Sequence, residues 1–198
     1  MRNKRSRKNV FNVGVNDVGY SVHQTTVLNG KQVITWSCPY YKKWYNMLRR
    51  CYDSKFLVKN PTYIGCSVDP DWLYLSNFIK WVDRQPNRNW EKCDLDKDLL
   101  VKGNKFYSEN TCIFITSTLN NFIVNISKDV KGYYFKDGKF YARCRNPLTK
   151  KTEHLGAFSC EASAKSRWKS RKTEIGLLLC LDECAEVRPA LLKLIDQL

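Results

Sequence analysis

Residues 131–168 read KGYYFKDGKFYARCRNPLTKKTEHLGAFSCEASAKSRW, a stretch with the pattern of three short strands followed by a helix. Asp137-Gly138 suits a tight two-residue hairpin, so one strand runs from Val130 to Phe135 and the next from Lys139 to Arg145. Side chains alternate across a strand, which puts Phe140, Ala142 and Cys144 on one face and Tyr141, Arg143 and Arg145 on the other. The first face suits a core and the second suits an anion. Asn146-Pro147 turns the chain into a third strand, Glu153 to Phe158. Ser159 then caps a helix in which Ala164, Trp168, Arg171 and Ile175 recur at helical spacing, with Ala164, Trp168 and Ile175 covering the sheet. The same pattern also describes an ordinary half-buried sheet with a solvated basic face.

Several residues of this unit match a known module: Lys131-Gly132, Gly138-Lys139-Phe140, Ala142, Arg143-Cys144-Arg145-Asn146-Pro147, Leu155-Gly156-Ala157-Phe158 and Glu161-Ala162. The unit resembles the DNA-binding domain of plant ethylene-response factors, the APETALA type, a version of which also occurs in phage and mobile-element endonucleases. His154 stands where the plant domain carries a Trp. In that family the sheet lies in the major groove and reads base edges. By position, the resemblance implies DNA contacts from Lys131, Tyr133, Lys139, Tyr141, Arg143, Arg145 and His154.

Charge agrees with a polyanionic partner. The 198 residues carry 34 Lys and Arg against 19 Asp and Glu, a net charge of +15 that drives phosphate binding without specifying a sequence. Such a balance also fits an RNA or ribosome binder. Arg2, Lys4, Arg5, Arg7 and Lys8 have no apolar stretch behind them, so residues 1–8 read as a basic flexible arm rather than a signal peptide or anchor. No apolar run reaches membrane-spanning length, since Ile175–Leu181 is broken by Asp182 and Glu183. A cytoplasmic location, the host cytoplasm for a phage protein, is the expectation. The nine cysteines lack any CxxC pair, so buried thiols are expected and zinc is not.

Upstream, Asn29-Gly30 reads as the turn of a hairpin. Pro39 opens a helix to Tyr52 with Trp44, Leu48 and Cys51 on a buried stripe. Pro61 to Val68 reads as extended, and Leu75, Phe78, Ile79 and Val82 form the core face of a second helix from about Leu73 to Val82. Asp94 to Asp98 forms a strand end, Gly103-Asn104 a loop, and Cys112 to Ile115 a return strand. Ser117 then caps a helix with Leu119, Phe122, Ile123 and Ile126 on one face. The last segment, Ala185 to Leu198, is an amphipathic helix suited to closing the core of its own domain.

The hairpin-plus-helix at 94–126 has the shape of an HNH (His-Me finger) nuclease core. Tyr41–Phe122 resembles a group of phage HNH proteins through Trp44, Met47, Arg50-Cys51-Tyr52, Pro61-Thr62-Tyr63, Val68, Trp72, Asn77-Phe78, Leu95-Asp96-Lys97-Asp98, Gly103-Asn104, Tyr107-Ser108 and Cys112. The resemblance implies a divalent metal, Mg²⁺ or Mn²⁺, held by Asp96 with Asn110 or Thr111 as the second protein ligand. It also implies a His beside Asp96 as the base, but Lys97 occupies that position, and only His23 and His154 exist in the chain. A protonated Lys is no base near neutral pH, which leaves Asp98 as the weaker alternative. The other reading is that Asp94, Asp96 and Asp98 pair with Lys97, Lys102 and Lys105 in an inactive fold.

The sequence therefore predicts an α+β protein: a basic arm at 1–8, an HNH-like ββα module at 9–128 with an N-terminal hairpin and helices, and a three-stranded antiparallel sheet packed on a helix at 129–198. The break is expected at Ser127-Lys128-Asp129. The expected partner is double-stranded DNA, cut by a degenerate HNH site or bound without cutting by a regulator or inhibitor. A host protein partner is left open, no membrane is expected, and nothing in the sequence sets the oligomeric state.

Overall fold

A computed structural model describes residues 9–86, 89–127, 132–181 and 183–197, and the architecture is α+β. The basic arm at 1–8, Lys131 and most of the expected break at 127–129 lie outside the described residues. Contacts divide the chain into two compact units, 1–91 with 101–113 and 92–100 with 114–198, an interleaved division rather than a single break near 128.

The first unit opens on a hairpin, β1 (His23–Leu28) and β2 (Lys31–Ser37), whose Asn29 and Gly30 take the positive φ values of 52° and 72° that the tight turn requires. Helix α1 (Pro39–Tyr52) follows, with Pro39 in its first turn, and buries Trp44, Met47, Leu48 and Cys51. Two short helical pieces follow, the second of them within Pro61–Val68, which the sequence predicts as extended throughout. Asp53 accepts a hydrogen bond from the Lys55 N–H at 3.0 Å and starts a short helix, α2 (Ser54–Lys59). A 3₁₀ turn at Pro61–Tyr63 then leads to β3 (Ser67–Val68). Helix α3 (Leu75–Asp83) packs against α1. The indole N–H of Trp44 donates to the Trp72 carbonyl at 2.7 Å, and Trp72 meets Trp81 at 4.5 Å and Phe78 edge-on at 5.3 Å. These aromatic rings make the core of the unit.

In the second unit, β4 (Cys93–Asp96) pairs with β6 (Ile113–Thr116), and α4 (Ser117–Ser127) follows directly and packs on β4. Between them β5 (Phe106–Tyr107) pairs in parallel with β3 and counts with the first unit, except for its flanks at 97–100. The expected cap of α4 moves by one residue. The Thr116 hydroxyl, rather than Ser117, accepts from the Leu119 N–H at 3.2 Å. Leu119, Phe122, Ile123 and Ile126 are buried, as their spacing predicts.

The three-stranded antiparallel sheet comprises β7 (Tyr133–Lys136), β8 (Lys139–Asn146) and β9 (Lys151–Phe158), with β8 central. Asp137 and Gly138, at φ 48° and 73°, form the tight turn. Helix α5 (Glu161–Leu179) covers one face with Ala164 and Trp168. It starts after Cys160, not Ser159, and without a side-chain cap. Buried Lys172 also lies on this side, its ammonium 4.7 Å from the Phe122 ring. Helix α6 (Val187–Asp196) closes the unit by packing Leu191 and Ile195 against Gly176 of α5.

Glu153 of β9 accepts hydrogen bonds from Arg171 of α5 at 2.7 Å and from the Asn146 amide at 2.7 Å. Those two donors, Arg171 foremost, hold its carboxyl down at about 2, below its ordinary 4.5. A carboxylate whose pKa is lower folded than unfolded supports the fold above its unfolded pKa, and the support is lost as pH falls through the folded value. The melting temperature of the parent is therefore expected to fall more steeply between pH 4.5 and about 2 than that of Glu153→Gln, followed by circular dichroism. Equal slopes would show that the pair does not tie sheet to helix.

Candidate nucleic-acid interface

The face of the sheet turned away from α5 is set by register. A two-residue turn pairs Lys136 with Lys139 and Tyr134 with Tyr141, and β9 continues the row with Ala157. Further along, Arg143 pairs with His154 and Arg145 with Thr152. The register shifts after Ala142, where Leu155 is the extra residue of a bulge and Gly156 takes φ 119°. Alternation from these pairs puts Tyr134, Lys136, Lys139, Tyr141, Arg143, Arg145 and His154 on one face. Of these only Tyr141 is half-buried, and the rest are exposed.

Within that face the side chains order one another. Tyr134 and Tyr141 stack with ring centroids 5.3 Å apart and planes 14° from parallel. The Arg143 guanidinium lies over Tyr134 at 5.3 Å from the ring centre. Two stacked phenols and a guanidinium over one of them make a cationic and aromatic surface. No carboxylate belongs to this row of pairs. Chemically it can stack on or donate to base edges and neutralise phosphates.

Of the seven residues that the sequence points to, Lys139, Tyr141, Arg143, Arg145 and His154 share this face, and Lys131 lies outside the described residues. Tyr133 does not share it. It pairs with Ala142, so alternation turns it to the α5 side, where its hydroxyl donates to Glu161. Tyr134 takes its place, and the turn Asp137-Gly138 held the signal, because a two-residue loop fixes which residues oppose each other.

Asn146 closes the base of the face. Its side-chain oxygen accepts from the N–H groups of Leu148 at 2.9 Å and Thr149 at 3.4 Å, ordering the β8–β9 loop. Gly132 sits at the other end, its carbonyl accepting from the Arg143 N–H at 2.8 Å, with the Trp168 ring where a β-carbon would stand.

The candidate catalytic residues are engaged differently. Asp96 ends β4, and its Oδ1 accepts from the N–H groups of Asp98 at 2.9 Å and Leu99 at 2.7 Å, so it caps the turn that follows. Burial pushes the Asp96 carboxyl up from its ordinary value, against those two hydrogen bonds. Lys97 is only 6% exposed and its ammonium donates to both carboxylate oxygens of Asp98 at 2.8 Å. Asp94 accepts from the Asn120 amide at 3.1 Å. Lys105 donates to the Thr62 carbonyl rather than to a carboxylate.

In the first unit, Asn110 is exposed in the loop before β6. The Thr111 hydroxyl donates to the Phe106 carbonyl at 2.7 Å and accepts from the Ser108 N–H at 3.1 Å. Among the described residues no three His, Cys, Asp or Glu side chains converge on a point that a metal ion could occupy. One oxygen of the Asp96 carboxylate is thus engaged by the turn, and the neighbouring Lys97 ammonium is clasped by Asp98.

The cysteines are free thiols, seven of them buried, with Cys184 half-buried and Cys160 exposed. Among the described residues no helix is long and apolar enough to cross a membrane. No family model, curated protein or solved structure matches the chain.

Proposed function

We propose that the chain binds double-stranded DNA with the exposed face of the β7–β8–β9 sheet and does not hydrolyse it. The observation that carries this reading is the ordered row of Tyr134, Tyr141 and Arg143, flanked by Lys139, Arg145 and His154, with no acidic residue among the paired positions of the row. The major groove admits an extended ribbon of this kind, and guanidinium groups pair with guanine edges there. Net charge of +15 adds a sequence-independent attraction to the duplex. The β4–β6–α4 arrangement is read as the remnant of the ββα core of phage HNH proteins, kept as scaffold. Asp96, Lys97 and Asp98 are used there by the fold itself: a turn cap and an ion pair.

Incubation of the purified protein with supercoiled plasmid separates binding from cutting. The protein is expected to shift the plasmid equally with Mg²⁺, with Mn²⁺ and with chelator, and to leave it supercoiled in all three. Nicking that requires metal and is lost in Asp96→Ala would overturn the non-hydrolytic reading and restore Asp96 as a ligand.

A further inference from the structure

Hairpin β1–β2 and helix α1 enclose a cavity of about 340 Å³ that the duplex-binding reading does not use. One wall is the α1 stripe of Tyr41 and Tyr45, whose rings lie 5.9 Å apart and 32° from parallel. Beside it stands His23, edge-on to Tyr41 at 5.0 Å and 85°. Its Nδ1 is hydrogen-bonded to the Ser37 hydroxyl at 2.8 Å, which leaves Nε2 as the ring's other hydrogen-bonding atom. Ile34 supplies an apolar side, and the exposed side chains of Lys42 and Asn46, one helical turn apart, stand at the rim.

This set has the parts that a single nucleotide needs. Flat aromatic rings offer a stacking surface to any base. A carboxamide and an imidazole nitrogen can pair with the edge of the base. An ammonium at the rim can meet a phosphate, and no carboxylate lines the cavity to repel one. Helix α1 carries Lys42 and Lys43 and no acidic residue on the turns that border the cavity. The volume lies at the small end of the roughly 300–1,000 Å³ typical of small-molecule sites, too small for a base pair with its backbones. We infer that this cavity takes one unstacked nucleobase with its 5′-phosphate, either as a free nucleotide or as an extruded or single-stranded residue of a nucleic acid.

The site is distinct from the sheet face, and its test keeps the two apart. The full chain is titrated with AMP by calorimetry and, separately, with a single-stranded oligonucleotide carrying one 2-aminopurine, whose fluorescence reports the stacking state of that base. Saturable binding is expected, weakened about tenfold or more by Lys42→Ala, by Asn46→Ala and by Ile34→Glu, with AMP binding unchanged by Arg143→Ala. All three weakening variants alter exposed positions, so circular dichroism is expected to show the parent fold. Binding of AMP alone assigns the cavity to a free nucleotide and binding of the oligonucleotide alone to a strand, and either upholds the proposal. No saturable binding of either probe would overturn it. So would affinities that stay at the parent value in all three variants.

Discussion

Gly132→Ala is expected to lower the melting temperature of the protein by on the order of 10 °C or more. A β-carbon at residue 132 would lie 2.0–2.3 Å from three atoms of the Trp168 ring. No flexible tip can yield there, because the contact is with the indole itself, and Trp168 is buried between α5 and the sheet. Overpacking of this kind costs about 3 kcal/mol or more when rigid groups must shift. For a unit of this size each kcal/mol is worth roughly 4–8 °C. Gly138→Ala is the contrast: its β-carbon meets open space, and only the positive φ of 73° is strained, a penalty of about 1–2 kcal/mol. Equal thermal shifts for the two variants would show that Trp168 does not pack on Gly132.

The second large effect concerns recognition. Arg143→Ala and Arg145→Ala are each expected to weaken binding to a preferred duplex by about 1–3 kcal/mol, five- to over a hundredfold, as loss of a guanidinium contact to a base or phosphate does. The two need not be equal. Arg143 is held over Tyr134 at 5.3 Å, so part of the entropy of ordering it is already spent in the free protein. Tyr134→Ala should therefore reproduce much of the Arg143→Ala loss, whereas Tyr133→Phe, on the other face, should not. Anisotropy titrations of the four variants check this ordering. A Tyr133→Phe loss as large as that of Tyr134→Ala would mean that the two faces have been assigned the wrong way round.

The sheet was legible in the sequence because period-two alternation and an Asp-Gly turn are local signals, and both appear in β7 and β8 as expected. Tyr133, which pairs with Ala142 and turns to the α5 side, was carried over by position from a resemblance, whereas counting outward from the turn puts Tyr134 in the row with Tyr141. Helix α2 was missed because six residues hold no periodicity to detect, although Asp53 was present as its cap. The β3–β5 pairing joins residues about forty positions apart through two residues on each strand, and no local pattern encodes that.

The region of the HNH resemblance shows how residue type can mislead about role. Trp44, Met47, Trp72, Phe78 and Tyr107 are buried core. The Tyr52 hydroxyl accepts from the Val68 N–H, and Asn104 orders its own loop by exchanging hydrogen bonds with Phe106. These residues serve packing and loop order. Asp96 looks the same in sequence whatever its role, and the 2.7 and 2.9 Å hydrogen bonds to its Oδ1, which cap the turn, are visible only in the structure. The division into units was also beyond local reading, because residues 92–100 join a unit whose remainder starts at 114.

The central claim is that the β7–β8–β9 face reads duplex DNA, beyond the attraction any protein of charge +15 has for phosphates. Selection of bound duplexes from a random library, followed by binding at two salt concentrations, tests it most directly. An enriched sequence is expected to be held at least about a thousandfold more tightly than random duplex of the same length, with the preference abolished in Tyr134→Ala/Arg143→Ala while the weak, salt-sensitive binding remains. Equal affinity for all duplexes, or a preference that survives that double replacement, would contradict it.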